Sequence, residues 1–263
     1  MKRTITLVLG LMSLLPLTVQ ADNLVMQFDF SDVSGTSVSD KNHSNLKARL
    51  MSGATVQSVG NYHVLNLGSA NGYLDLTAAA GTLLAELTDY TVSVYYRIGS
   101  DVGISGNGYF LWAFSNSEAN TATASPYSGY RVNAQRYATS TGGYQNETGM
   151  EAGSASPTGR WMHVLYRQKS RRGQLYINGV LTGTTANMPE YATIFTTAPA
   201  YNWIGRPPFA SDIYLSNTLV TDFRVYNIYV DDDELNALAA QVDDLDYAYN
   251  FGTPGDTRPY SCR

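Results

Sequence analysis

The side chains able to do chemistry are few and scattered. The glutamates are Glu86, Glu118, Glu147, Glu151, Glu190 and Glu234, and most fall in stretches that read as loops or at a helix start. Retaining glycoside hydrolysis needs two carboxyl groups about 5–5.5 Å apart. On one strand that means acidic residues at i and i+2 or i+4, pointing to the same face. Glu147 and Glu151 are the nearest pair. Their segment, residues 138–157, is Ser, Thr, Gly and Asn with little periodicity, so they read as solvated loop charges. The histidines His43, His63 and His163 have no Gly-x-Ser-x-Gly nucleophile elbow to serve, and His163, on a strand, reads as structural. No His-Glu-x-x-His pattern or cysteine cluster suits zinc. Cys262 is the one cysteine, so an intramolecular disulfide is impossible and the fold must rest on its core. The expectation is a protein that binds and does not catalyse.

The elements that would position a binding surface are strands. Residues 160–183, RWMHVLYRQKSRRGQLYINGVLTG, read as three of them. Asn178-Gly179 supplies a two-residue turn, because both central positions of a type I′ turn need positive φ. Tyr90–Ile98 alternates, with Val92 and Val94 on one face and Ser93, Tyr95 and Arg97 on the other. Residues 109–114 and 130–137 read as further strands, and residues 78–87 as a helical turn. One helix is clear. Asp231 and Glu234 have capping-box spacing, and Leu235, Leu238, Ala239 and Val242 form a one-sided stripe. About a dozen short strands with frequent turn signals give an all-β fold, an antiparallel β-sandwich jelly roll with one short C-terminal helix.

Residues 1–21 read as a secretory signal peptide, with Lys2-Arg3, an apolar run and Val19-Gln20-Ala21 as the cleavage site. No later run reaches the roughly 18 apolar residues of a membrane span. Residues 22–245 would be the domain and residues 246–263 an extended tail. The formal charge of −5 becomes −7 without Lys2 and Arg3. An acidic secreted chain is a poor partner for nucleic acid. The 20 tyrosines suit strand surfaces and sugar-facing surfaces alike, and strand packing accounts for most of them.

The order of motifs resembles the laminin-G-like, concanavalin A-like jelly-roll lectin family, bacterial type. The resemblance runs through Phe28-Asp29-Phe30, then Asp40-Lys-Asn-His-Ser-Asn45, then Gly72-Tyr-Leu-Asp-Leu76. It continues in Arg160-Trp-Met-His-Val164 and Gly173-Gln-Leu-Tyr-Ile-Asn-Gly179. Asn202-Trp-Ile-Gly-Arg206 and Asp222-Phe-Arg-Val-Tyr-Asn227 close it. Residues 99–157 match poorly. The resemblance implies the sandwich fold and a structural calcium held by Asp29, Asp40, Asn42 and Asp222, oxygen donors of the kind calcium takes. It also brings glucanases and lyases into view, but their Glu-x-Asp-x-x-Glu type of motif is missing.

In such folds the concave sheet is the platform for sugar, where aromatic faces stack and polar groups meet hydroxyls. Tyr95, Arg97, Trp112 and Arg131 are the expected ligand-binding residues. The function expected is a secreted, non-catalytic carbohydrate-binding or adhesion domain for a polysaccharide or glycoprotein glycan. The alternatives are a hydrolase or lyase of the same fold, and a protein-interaction module.

Overall fold

The computed structural model describes residues 23–252. The signal peptide read at residues 1–21 and Cys262 lie outside the described residues. Strands β1 (Leu24–Phe28), β2 (Val33–Ser34), β3 (Ser37–Ser39), β4 (Lys47–Met51), β5 (Thr55–Val59), β6 (Tyr62–Asn66) and β7 (Tyr73–Asp75) precede α1 (Thr77–Leu84). Strands β8 (Tyr90–Ile98), β9 (Phe110–Ser115), β10 (Tyr127–Arg131), β11 (Arg136–Ser140) and β12 (Glu147–Glu151) follow. Then come β13 (Trp161–Lys169), β14 (Arg172–Ile177), β15 (Val180–Thr185), α2 (Tyr191–Ile194), β16 (Tyr201–Ile204), β17 (Thr218–Tyr226) and α3 (Asp232–Phe251).

Two antiparallel sheets stack as a sandwich. Sheet A runs β15-β14-β13-β8-β17-β6-β5, with β1 also on β17. Sheet B runs β12-β11-β10-β9-β16-β7-β4-β3-β2. The period of two sends Val92, Val94 and Tyr96 of β8 and Val164 and Tyr166 of β13 into the shared core. They meet Trp112, Phe114, Tyr130 and Tyr137 of sheet B there. The tyrosine excess is thereby explained. Nine tyrosines are among the largest fully buried side chains, and their hydroxyls find one another. The Tyr137 hydroxyl lies 2.9 Å from that of Tyr90, 3.0 Å from Ser128 Oγ and 3.1 Å from the Tyr191 hydroxyl. Such pairing removes the cost of burying a hydroxyl without a partner.

The turns follow the expected chemistry at one end of the meander. Asn178 and Gly179 have φ of 48° and 76° and join β14 to β15. At the other end, Ser170 and Arg171 form an equally tight turn with φ of 48° and 63°, between the pair Lys169 and Arg172. A second expectation needs correction. Residues 130–137 are not one strand: β10 ends at Arg131, β11 begins at Arg136, and Gln135 turns with φ 45°. The run alternates because both flanking strand ends alternate.

Helix α3 covers the outer face of sheet A. The Asp231 carboxylate caps it by accepting from Glu234 N at 2.9 Å, as the spacing predicts. Leu235 and Leu238 pack on Leu165, Tyr176 and Tyr226. Val242, Leu245 and Ala248 pack on Val64, Tyr95, Trp161 and Leu219. The helix runs to Phe251, so residues 246–251 are helical and not extended. The apolar stripe continues at Leu245 and Ala248, and no glycine or proline interrupts it before Gly252. Trp112 stacks on Tyr130 at 5.2 Å and meets Phe223 edge-on at 6.3 Å. Replacing it with alanine should lower the unfolding free energy by about 3–5 kcal/mol, because a large buried ring leaves a cavity. Urea unfolding measures this, and a loss under about 1 kcal/mol would contradict its place in the core.

Candidate functional site

With the outer face of sheet A under α3, sheet B presents the open face. Three of its strands build a polar surface by register alone. Tyr127 of β10 is opposite Ser140 of β11, which is opposite Glu147 of β12. Four residues along, Arg131 is opposite Arg136, which is opposite Glu151. Positions i and i+4 of a strand share a face, so all six side chains project together. Tyr130, Tyr137 and Met150, one residue out of step, point into the core. Between the two rows lie Gly129, Ala138 and Gly149. Their small size leaves room for the arginines to lie along the sheet and reach Glu147. A Cβ at Gly129 would sit 2.9 Å from the Phe110 ring, so the glycine also makes room for that aromatic.

Glu147 is the hub. Its Oε1 accepts from the Tyr127 hydroxyl. Its Oε2 accepts from Arg131 Nη2 at 2.8 Å, from Arg136 Nη2 at 2.9 Å and from Arg136 Nε at 3.1 Å. Arg136 Nη1 also donates to Glu151 Oε2 at 3.3 Å. The Glu147 side chain is only 8 % exposed, while that of Glu151 is 45 % exposed. Burial, with the carboxylates of Glu151 and Asp212 adding to it, pushes the Glu147 carboxyl up to about 7. This outweighs the two guanidiniums, which pull the other way. Burial lowers Arg131, and the neighbouring Arg136 charge lowers it further. Burial also raises Asp212, opposed by Arg131.

These residues form the floor of a groove of about 830 Å³. Its walls come from the segments around Asn107, Asn120, Tyr144 and residues 209–212. Tyr144 is 53 % exposed, on a short 3-10 turn at residues 144–146. It meets Phe209 edge-on at 5.9 Å, and Phe209 packs on Phe110 and Tyr127. An aromatic wall thus stands beside a fixed polar floor. Such a surface stacks an apolar ring face and bonds hydroxyls.

The structure disperses the four ligand-binding residues expected from the sequence. Arg131 lies in the groove. Tyr95 and Arg97 face away from the core, as the alternation predicts, but α3 lies over them. The Tyr95 hydroxyl donates to Leu238 O at 2.6 Å, and the Arg97 guanidinium sits 3.7 Å from the centre of the Tyr249 ring. Trp112 is in the core and not on an outer face, so it is corrected on that point. Glu147 is likewise no solvated loop charge but part of strand β12. The segment hides its strands because glycines and hydroxyl residues occupy them. The i+4 spacing of Glu147 and Glu151 was the available signal. Buried His163 behaves structurally: burial first, then Arg224, pushes it down to about 3, and its Nε2 lies 2.8 Å from Ser93 Oγ.

The residues matched to a calcium site have protein partners already. Asp40 accepts from the backbone of Gln27 at 2.5 Å, of Asn42 at 2.8 Å and of His43 at 2.7 Å. The Asn42 side chain donates to Gln27 Oε1 at 3.3 Å. Asp29 pairs with Lys41 at 2.6 Å. Asp222 pairs through both oxygens with Arg224, at 2.9 and 2.6 Å. Asp29 and Asp222 do line one cavity, of about 230 Å³. Lys41 and Arg224 supply positive charge in it, and a calcium ion would have to displace them. Among the described residues no three His, Cys, Asp or Glu side chains converge as a metal set.

The Glu147 network has a pH signature. A carboxyl raised from 4.5 to about 7 binds its proton more tightly in the native state. That contribution is complete below pH about 4.5 and is lost as pH rises through about 7. The stability of the native chain relative to a Glu147→Gln variant should therefore fall from about pH 5 to about pH 8. Carboxyl-carbon NMR should place the Glu147 midpoint near 7. A midpoint in the ordinary range would mean that the two arginines dominate.

Comparison with known proteins agrees with this architecture. Among solved structures, domain 4 of AbnA, a GH43 extracellular arabinanase from Geobacillus stearothermophilus, in complex with arabinotriose, aligns with TM-score 0.61. It is 16% identical over 82% of this chain and 98% of that domain. The binding domain of botulinum neurotoxin serotype D/C aligns with TM-score 0.61 at 15% identity, over 86% of this chain and 53% of that one. A Trypanosoma rangeli sialidase mutant with trans-sialidase activity aligns with TM-score 0.60 at 16% identity, over 86% of this chain and 34% of that one. The chain thus spans about half of the toxin domain and a third of the sialidase. At these identities the likeness shows the fold. No curated protein matches the chain. A family profile matches residues 67–236, and on that match the chain belongs to the concanavalin A-like lectin/glucanases superfamily.

Proposed function

We propose that this chain is a secreted carbohydrate-binding domain that takes a polysaccharide or glycoprotein glycan in the sheet B groove and does no chemistry on it. The observation that carries the reading is the pairing of exposed Tyr144 with a rigid floor of Arg131, Arg136 and Glu147 in one open groove. The arabinanase domain of the same fold, whose structure contains arabinotriose, supports a sugar as ligand. The leader read at residues 1–21 fits an extracellular role. No helix of the described residues is long and apolar enough to cross a membrane.

One observation favours hydrolysis: Glu147, raised to about 7, is tuned as a general acid would be. Its oxygens, however, are engaged by Tyr127, Arg131 and Arg136. A general acid must present its proton to the substrate within hydrogen-bond reach. That engagement supports binding over catalysis.

Two measurements test the proposal. Isothermal titration of residues 22–263 against a panel of polysaccharides should show saturable binding, and Tyr144→Ala should weaken it about tenfold, the loss of one stacking partner. Binding unaffected by both Tyr144→Ala and Arg131→Ala would remove the groove from the proposal. Reducing sugar released from any polysaccharide would replace binding with hydrolysis.

A further inference from the structure

We propose that the groove selects uncharged glycans, held through their hydroxyl groups, and rejects chains that carry carboxylate or sulfate. This rests on the carbohydrate-binding reading and adds the ligand class to it.

The charged donors and acceptors of the groove are already matched to one another. The cations facing the floor are Arg131 of β10 and Arg136 of β11. Both are committed to Glu147, and Arg136 also to Glu151. Against these two positive charges stand three carboxyl groups: Glu147 and Glu151 of β12, and Asp212 from the segment after β16. Tyr127 of β10 closes the set by donating to Glu147. No positive charge is left over to receive an anion. With Glu147 protonated the balance is neutral, and with it ionised the groove is net negative. The chain as a whole is acidic, with formal charge −5, which repels a polyanion over the distance set by salt.

The unused capacity is of the opposite kind. The partly buried Asp212 side chain lines the groove and accepts no hydrogen bond from the described residues, although the Arg131 charge acts on it. It is an acceptor that faces the groove, so a ligand that brings O–H groups gains what an acidic ligand cannot. A carboxylate or sulfate brings acceptors to a site already rich in them. A neutral sugar brings donors on every carbon of its ring edge and an apolar face for Tyr144.

The experiment uses residues 22–263 in affinity electrophoresis and titration at neutral pH and low salt. Neutral probes are arabinan, xylan, mannan and a mixed-linkage β-glucan. Acidic probes are polygalacturonate, alginate and heparin. Retention by at least one neutral chain is expected, with every acidic chain about tenfold or more weaker. Asp212→Asn should weaken the neutral chain several-fold by turning one acceptor oxygen into a donor. Glu147→Gln should remove the carboxylate that both arginines are paired with, bring the groove to neutral balance, and raise binding of an acidic chain about tenfold. Circular dichroism of each variant identifies a misfolded one, and the native chain's own preference decides the matter without either. Acidic chains bound as tightly as neutral ones would overturn the selectivity while leaving the carbohydrate reading standing. Retention of no chain at all would overturn both.

Discussion

Every strand in a sandwich has two faces, and only one of them can share the core. What covers the other face of sheet A governs the rest of this molecule. Tyr95, Trp161, Leu165, Tyr176 and Tyr226 stand on it and are buried. That much aromatic and aliphatic surface could not be left in water without a large loss of hydrophobic free energy. Helix α3 covers it, and its position is fixed by polar contacts as well as by packing. Arg167, on the same face, donates to Val230 O at 2.9 Å, to the Tyr176 hydroxyl at 2.6 Å and to Asp232 at 2.7 Å. The Tyr95 hydroxyl donates to Leu238 O. Further along the helix, the Asp246 carboxylate accepts from Trp161 N at 3.1 Å, so both halves of α3 are tied to the strands beneath.

The consequence is an asymmetry between the two sheets. The central strands β8, β13 and β17 of sheet A are covered on both faces. Among the described residues no helix lies over the sheet B face formed by β10, β11 and β12, and that face has the composition of a surface that stays wet. Arg131, Arg136, Glu147 and Glu151 alternate there with glycine and alanine. Binding capacity therefore moves to the sheet that lacks a cover. The placement follows from apolar burial, and no special feature of the groove has to be invoked.

The fold was legible in the sequence because its signals are local. The turn at Asn178-Gly179, the cap at Asp231 and the alternation of Tyr90–Ile98 each depend on a few adjacent residues. The alternation even assigned Tyr95 and Arg97 to the correct face. It could not reveal that a helix some 140 residues away in sequence lies on that face. The groove was less legible for a related reason. It is assembled by cross-strand register, which pairs Ser140 with both Tyr127 and Glu147. Strands β11 and β12 carry Ala138, Thr139, Ser140, Thr148 and Gly149, none of which marks a strand by apolar pattern. Trp112 failed for the simplest cause: flanked by Leu111 and Ala113, it sits in a run buried on both faces, where alternation has no contrast to read.

The arginine–glutamate–arginine cluster also bears on what the groove is for. Ion pairs that are partly withdrawn from water return little net stability, since desolvation offsets attraction. A chain selected for stability alone would gain as much from apolar side chains at Arg131, Arg136 and Glu147. What the cluster provides is order. Glu147 accepts from three side chains on two neighbouring strands, so the two long arginines lose their rotamer freedom before any ligand arrives. A floor ordered in advance spares the ligand that entropy on binding. The same commitment of charge leaves the Asp212 carboxylate as the groove's open acceptor. Rigidity of the floor and its preference for hydroxyl donors are then two results of one arrangement of charges.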